Sequence, residues 1–137
     1  MNTVKITVSA TINAPLEKVW DSYTNPIHIV NWNFADPSWH CPYAENNLQI
    51  GGKYKARMEA RDGSFGFDFE GTYSDVIEKE KITYAMDKRE VTTLFKNSNN
   101  QTEVITTFDA EDENPIELQK NGWQMILTNF KNYTETL

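Results

Sequence analysis

Few residues in this chain have both the type and the spacing for chemistry. His40 and Cys41 are adjacent, with Asp36 and Glu45 close by and His28 a little upstream, which are the side chains of a metal centre or of a Cys–His nucleophile pair. Neighbours in an extended chain point to opposite faces, however, and neither Cys-x-x-Cys nor His-Glu-x-x-His spacing occurs. The sequence therefore predicts no metal and no cofactor, with His40 on the rim of a pocket and Cys41 packed as a small apolar group. Gly63-Ser64-Phe65-Gly66 lacks the glycine pattern and the strand-to-helix setting of a nucleophile elbow and reads as part of a hairpin. Arg57, Glu59, Asp68 and Glu70 alternate with apolar residues, as on the solvated face of two paired strands; a catalytic carboxylate among them is the alternative. Gln119 lies near an apolar helical stripe, where it can hydrogen-bond a ligand or cover the helix start. No catalytic residue is nominated.

What the chain does have is rings. Phe, Tyr and Trp make up 12% of it, and a sheet curved around a single helix does not close completely, so part of this set should line a cavity of a few hundred Å³. From the first half of the chain the candidates are Trp32, Phe34, Trp39, His40, Tyr54 and Met58. Phe67, Phe69 and Tyr84 follow from later strands, and Gln119, Trp123, Ile126, Leu127 and Phe130 from the C-terminal helix.

The elements that must position them are legible in the hydrophobic pattern. Thr3 to Ile12 alternates Val4, Ile6, Val8 and Ala10 with polar or small neighbours, the period of a half-buried strand. Asn13-Ala14-Pro15 ends it, and Leu16, Val19, Trp20 and Tyr23 recur at helical spacing behind Glu17. Asn25-Pro26 starts a second short helix that should carry Ile27, Val30 and Trp32. Asn33 to Ile50 has no sustained period and reads as a long aromatic loop, with a seventh strand possible between Trp39 and Leu48. After Gly51-Gly52, strands at Tyr54–Ala60 and Phe65–Val76 flank Asp62-Gly63, the strongest hairpin signal present, and Val76 falls out of phase with Tyr73, which predicts a bulge near Ser74. Ile82–Met86, Val91–Phe95 and Val104–Phe108 follow, with turns at Asp87-Lys88 and Asn97–Gln101. Asn114-Pro115-Ile116-Glu117 reads as a helix start with Asn114 as cap, Pro115 first and Glu117 as capping-box partner. The helix should run to Tyr133 with Ile116, Trp123, Ile126, Leu127, Phe130 and Tyr133 as its stripe, and Gly122 should permit a close approach or a kink.

Composition excludes several functions. At 137 residues the chain fits one domain, residues 1–137, able to bury roughly two-thirds of its unfolded surface. A net charge of −7, with basic residues scattered, disfavours nucleic acid and anionic lipid. No apolar run approaches a membrane span. The segment from Met1 to Ala10 has neither a basic nor an apolar leader region, and a single cysteine cannot form an intramolecular disulfide, so the expected location is cytoplasmic.

The order strand, two short helices, meander and long C-terminal helix resembles the START-like, or helix-grip, superfamily: an α+β fold with a six- or seven-stranded curved antiparallel sheet around the last helix. Ala14-Pro15-Leu16-Glu17-Lys18-Val19-Trp20, Trp32, Gly51-Gly52, Phe69-Glu70-Gly71-Thr72-Tyr73 and Gly122-Trp123-Gln124 with Leu127 are similar to the activator of heat-shock protein 90 ATPase homologue family in its compact form. Activators proper carry a further N-terminal domain, and many relatives have a tryptophan pair where Trp32-Asn33 stands. The resemblance implies a cavity without naming its occupant, and the aromatic set makes an apolar or aromatic small molecule the leading expectation. The resemblance also implies two alternatives, a chaperone-associated interaction module linked to the stress response and a cyclase- or hydrolase-type enzyme using the same cavity. A monomer and a homodimer are both compatible with the sequence.

Overall fold

The computed structural model describes residues 4–86 and 89–137, so the start of the first strand at Thr3 and the turn at Asp87-Lys88 lie outside the described residues. Chain order is β1 (Lys5–Ile12), α1 (Leu16–Thr24), α2 (Pro26–Ile29), β2 (Trp39–Asn46), β3 (Lys53–Ala60), β4 (Gly66–Ile77), β5 (Lys81–Met86), β6 (Arg89–Ser98), β7 (Gln101–Asp109) and α3 (Ile116–Glu135). One curved antiparallel sheet runs β1-β7-β6-β5-β4-β3-β2. The α1–α2 corner carries the chain from one edge of this sheet to the other, and the meander from β2 to β7 brings it back beside β1. The seventh strand expected between Trp39 and Leu48 is β2, so the middle of what reads as an aromatic loop from Asn33 to Ile50 is an edge strand. Its register slips between His40 and Tyr43, which masks the period-two pattern in the sequence.

The concave face is built by alternation. Ile6, Val8 and Ile12 of β1 face Val104 and Phe108 of β7, with Val91 and Phe95 of β6 beside them, all buried. The predicted bulge is present: the pairing of β4 with β5 shifts between Tyr73 and Asp75. In the helical corner Asn25 caps α2, its Oδ1 accepting from Ile27 N at 3.1 Å, but Ile27 itself is 73% exposed and Ile29 is the buried residue. A single turn has room for one inward position, and Ile29 occupies it while Trp32 anchors the exit, its indole N–H donating to Ser22 O at 2.9 Å.

The start of α3 differs from the capping-box reading. Asn114 does not cap with its side chain; Gln119 does the work from inside the helix. Its Oε1 accepts from Glu111 N at 2.9 Å, and its Nε2 donates to Glu111 O at 3.1 Å and to Asn114 O at 2.8 Å. Asn114 N donates instead to Glu111 Oε1, so Glu117 has no partner amide there. Because Gln119 takes the buried position at this end, Ile116 is left 42% exposed. Gly122 faces open space within α3, so a close approach does not explain that glycine.

Two contacts fix the geometry on which the interior depends. Asp109, at the end of β7, is clasped from both neighbouring strands: Lys5 Nζ donates to Oδ1 and Glu90 N donates to Oδ2 at 2.9 Å. These bonds, the Lys5 ammonium first, hold its carboxyl below the ordinary value. On the concave face, a Cβ at Gly71 would stand 2.4 Å from Cδ2 of Tyr84, so the Tyr84 ring lies where any side chain on β4 would be.

Two predictions follow from this geometry. A carboxyl depressed in the folded state stabilises fully above its unfolded pKa of about 3.9 and loses that contribution as pH falls through the folded value. Asp109→Asn should therefore flatten the acid limb of a stability–pH curve measured by urea unfolding, leaving a smaller loss below pH 4 than the parent shows. Gly71→Ala should destabilise by about 1–3 kcal/mol through overpacking against the Tyr84 ring, read as a lower chemical-denaturation midpoint at unchanged slope.

Candidate functional site

Apolar side chains projecting from a curved sheet diverge, and here they leave an internal cavity of about 230 Å³ between the sheet and α3. Its closed end is formed by Trp32 and Asn33 after α2, by Tyr54, Tyr73 and Tyr84 of β3, β4 and β5, and by Thr93 and Thr106 of β6 and β7. Its mouth lies among Met58, Phe67 and Phe69 on the β3–β4 hairpin and Trp123 and Ile126 on α3, where Phe67 is 42% exposed. The Trp123 indole stacks on Phe108 with ring centroids 4.1 Å apart and planes 16° from parallel. The same indole meets Phe69 in an edge-type contact, with ring centroids 6.2 Å apart and planes at 67°.

The polar groups on this wall are few, uncharged and ordered. Tyr23 Oη and Thr93 Oγ1 are 3.1 Å apart, and Thr93 and Thr106 hydroxyls 3.0 Å apart, a short chain in which the three satisfy one another. Tyr73 Oη donates to Asn46 Oδ1. Asn33 Nδ2 donates to Tyr54 Oη at 2.8 Å. Burial is the leading cause that pushes the Tyr23, Tyr54, Tyr73 and Tyr84 phenols above their ordinary range, so all four stay protonated near neutrality.

The sequence candidates divide cleanly. Trp32, Tyr54, Met58, Phe67, Phe69 and Tyr84 line the cavity, as do Trp123, Ile126 and Leu127 on α3. Phe130 does not: fully buried, it packs against Trp32 at 5.0 Å and Tyr23 at 5.3 Å, behind the wall. Gln119 is occupied at the helix start, as described above. Phe34 gives its carbonyl to Asn129 Nδ2 of α3 and stands off the cavity. Trp39 lies outside the mouth, 6.1 Å from Phe67 and 5.9 Å from Phe65. His40 is on the outer face, its Nε2 3.7 Å from Glu59. The residues that sequence reasoning missed are mostly polar. Thr93 and Thr106 are in phase with Val91 and Val104 and were recoverable from alternation, whereas nothing in the sequence marks Asn33.

The reactive-looking residues supply no nucleophile. Cys41 is 3% exposed, its Sγ donates to Tyr43 O at 3.4 Å, and burial pushes its thiol pKa up to about 11. Arg57 joins Glu59 at 2.9 Å and Asp68 at 3.4 Å on the convex face of β3 and β4, away from the cavity. Among the described residues no group of His, Cys, Asp and Glu is placed to hold a metal ion, and no helix is long and apolar enough to cross a membrane.

Comparison with known proteins agrees with this architecture. Residues 13–135 match the family described as Activator of Hsp90 ATPase homolog 1-like protein. A solution structure of an AHSA1-like protein from Aeromonas hydrophila is 40% identical, with TM-score 0.91, over 97% of this chain and 93% of that one. A protein from Cytophaga hutchinsonii is 45% identical, with TM-score 0.83, over 96% and 92%. At 22% identity a protein from Chromobacterium violaceum shares the fold, with TM-score 0.85 over 96% and 98%. No relative was found among curated proteins. A family match over residues 13–135, together with a 40% identical relative superposing over nearly the whole chain, means that this chain belongs to the Activator of Hsp90 ATPase homolog 1-like family.

Proposed function

We propose that this protein binds an apolar or aromatic small molecule in the cavity between α3 and the sheet, without transforming it. The observation that carries the reading is the cavity itself: about 230 Å³ walled by Trp32, Phe69, Tyr84 and Trp123, with neutral hydroxyls and one carboxamide as its polar groups. Such a wall suits an apolar body with little charge. Among the described residues it offers no carboxylate, imidazole, amine or thiol to a reacting atom: its phenols are neutral and the carboxylates of β3 and β4 lie on the convex face. That is the support for binding over a cyclase or hydrolase.

The segment from Asn33 to Ile50 contributes to the site in two places, with Asn33 at the closed end and Trp39 against Phe67 outside the mouth. A second reading, docking on a chaperone, takes its support from the family and from the Trp39–Phe65–Phe67 ring cluster, in which Phe65 is 61% exposed. The two readings place activity on different surfaces.

A ligand at about 100 times its dissociation constant stabilises the fold by about 2.7 kcal/mol. A thermal-shift screen of planar aromatics, flavonoids and fatty acids should return compounds that raise the midpoint, and these should change tryptophan fluorescence, since Trp32 and Trp123 face the cavity. Leu127→Trp, which fills the cavity, should abolish the shift. If no compound moves the midpoint while a chaperone binds and Phe65→Ser weakens that binding, the docking reading replaces the cavity reading.

A further inference from the structure

We infer that the cavity selects a neutral ligand carrying one oxygen acceptor, a ketone or hydroxyl on a one- or two-ring apolar body, and that Tyr84 and Tyr54 are its specificity-determining residues. The inference rests on the cavity reading proposed above and goes beyond it in naming the ligand class.

Among the described residues the cavity wall has no Lys, Arg, His, Asp or Glu. The nearest charges along β3 and β4 are Lys55, Arg57, Asp68 and Glu70, which neutralise one another on the convex face. Arg89 is close enough to Tyr84 to be the smallest influence on its phenol, but it is not part of the wall. An ionised carboxylate in this space would lose its water and find no counter-charge.

The hydrogen-bonding capacity left over is specific. Tyr23, Tyr73, Thr93 and Thr106 have protein partners. Tyr54 Oη accepts from Asn33, which leaves its own proton to donate. Tyr84 Oη has no hydrogen-bond partner among the described residues, yet no described side-chain oxygen is sealed without one; since Tyr84 lines the cavity, its hydroxyl opens onto the ligand space. Gly71 lets the Tyr84 ring lie across β4 toward Tyr54, with ring centroids 5.7 Å apart. Two neighbouring phenols on the cavity wall thus keep a proton to donate, while the wall's other hydroxyls and its carboxamide are engaged with the protein. Both phenols are neutral near pH 7, as an unperturbed tyrosine is, and burial raises them further, consistent with donation. A volume of about 230 Å³ lies below the roughly 300–1,000 Å³ of drug-sized sites, which sets the one- or two-ring limit.

The test uses three probes with one ring system, titrated calorimetrically at pH 7 into the full chain: 2-acetylnaphthalene, 2-ethylnaphthalene and 2-naphthoate. The ketone should bind about tenfold more tightly than the hydrocarbon, the ratio expected of one good hydrogen bond, and naphthoate should be the weakest. Tyr84→Phe should bring the ketone down to the hydrocarbon and leave the hydrocarbon unchanged. Tyr54→Phe, which keeps the ring but loses the Asn33 contact, should do the same in part. Retained hydrocarbon binding shows that either variant is folded. Naphthoate binding as tightly as the ketone, or a ketone preference that survives in both variants, overturns the inference while leaving the cavity reading standing. Failure of all three probes to bind the parent protein overturns both.

Discussion

The seating of α3 on the β1 end of the sheet is the constraint from which the rest of the molecule follows. A helix with its side chains is about 10 Å across, whereas seven strands about 4.8 Å apart reach about 29 Å along the sheet before curvature. One helix cannot cover that face, and its anchors hold it to one side. Gln124 Nε2 donates to Ser9 O on β1 at 3.1 Å, Asn13 N donates to Glu135 at 2.7 Å, and the Ser22 and Thr134 hydroxyls meet at 2.8 Å in a buried contact with α1. The α1–α2 corner then packs beside α3. Over β3, β4 and β5 the cover consists of side chains alone, and it is there that the space remains.

Two aromatic groups show the consequence. Beside the helices, Trp20, Tyr23, Trp32, Phe95 and Phe130 close at 5.0–5.3 Å, edge-to-face except where Tyr23 stacks on Trp32, and of these only Tyr23 and Trp32 reach the cavity. Farther along the sheet Tyr54, Phe69, Tyr84 and Trp123 stand 5.7–6.2 Å apart, looser than the first group but within the range of aromatic contacts. The same residue types pack more tightly beside the helices and stand farther apart as cavity wall along the sheet, where α3 reaches over them only with side chains such as Trp123.

Alternation made most of this readable in the sequence. Inward residues of β1, β3, β6 and β7 follow from period two, and nine-residue α1 and twenty-residue α3 follow from helical spacing. The failures have local physical causes. The slip between His40 and Tyr43 hides β2, so Trp39 and His40 read as pocket residues when the strand places them outside. The single turn of α2 can bury one isoleucine, and spacing alone cannot say which. Asn114-Pro115 resembles a capped helix start, but the capping comes from Gln119, one turn into the helix, a contact that depends on how the acidic segment from Asp109 to Glu113 folds back. Phe130 belongs to the correct stripe of α3; only the depth of its position, behind Trp32 and Tyr23, removes it from the cavity.

The polar side of the interior is the part that sequence conveys least, and it is what gives the cavity its character. Threonine has high strand propensity and a short hydroxyl, so Thr93 and Thr106 read as ordinary strand residues. In place, they take up the Tyr23 hydroxyl and leave that corner saturated. Asn33 and Asn46 do the same for Tyr54 and Tyr73 from segments outside the strands that carry those rings. Each of these partners neutralises one buried hydroxyl that would otherwise draw water inward or destabilise the fold. Among the described residues, what remains is a mainly apolar space in which Tyr84 has no hydrogen-bond partner and Tyr54 keeps a proton to donate, because the other hydroxyls on the wall are already answered by the chain itself.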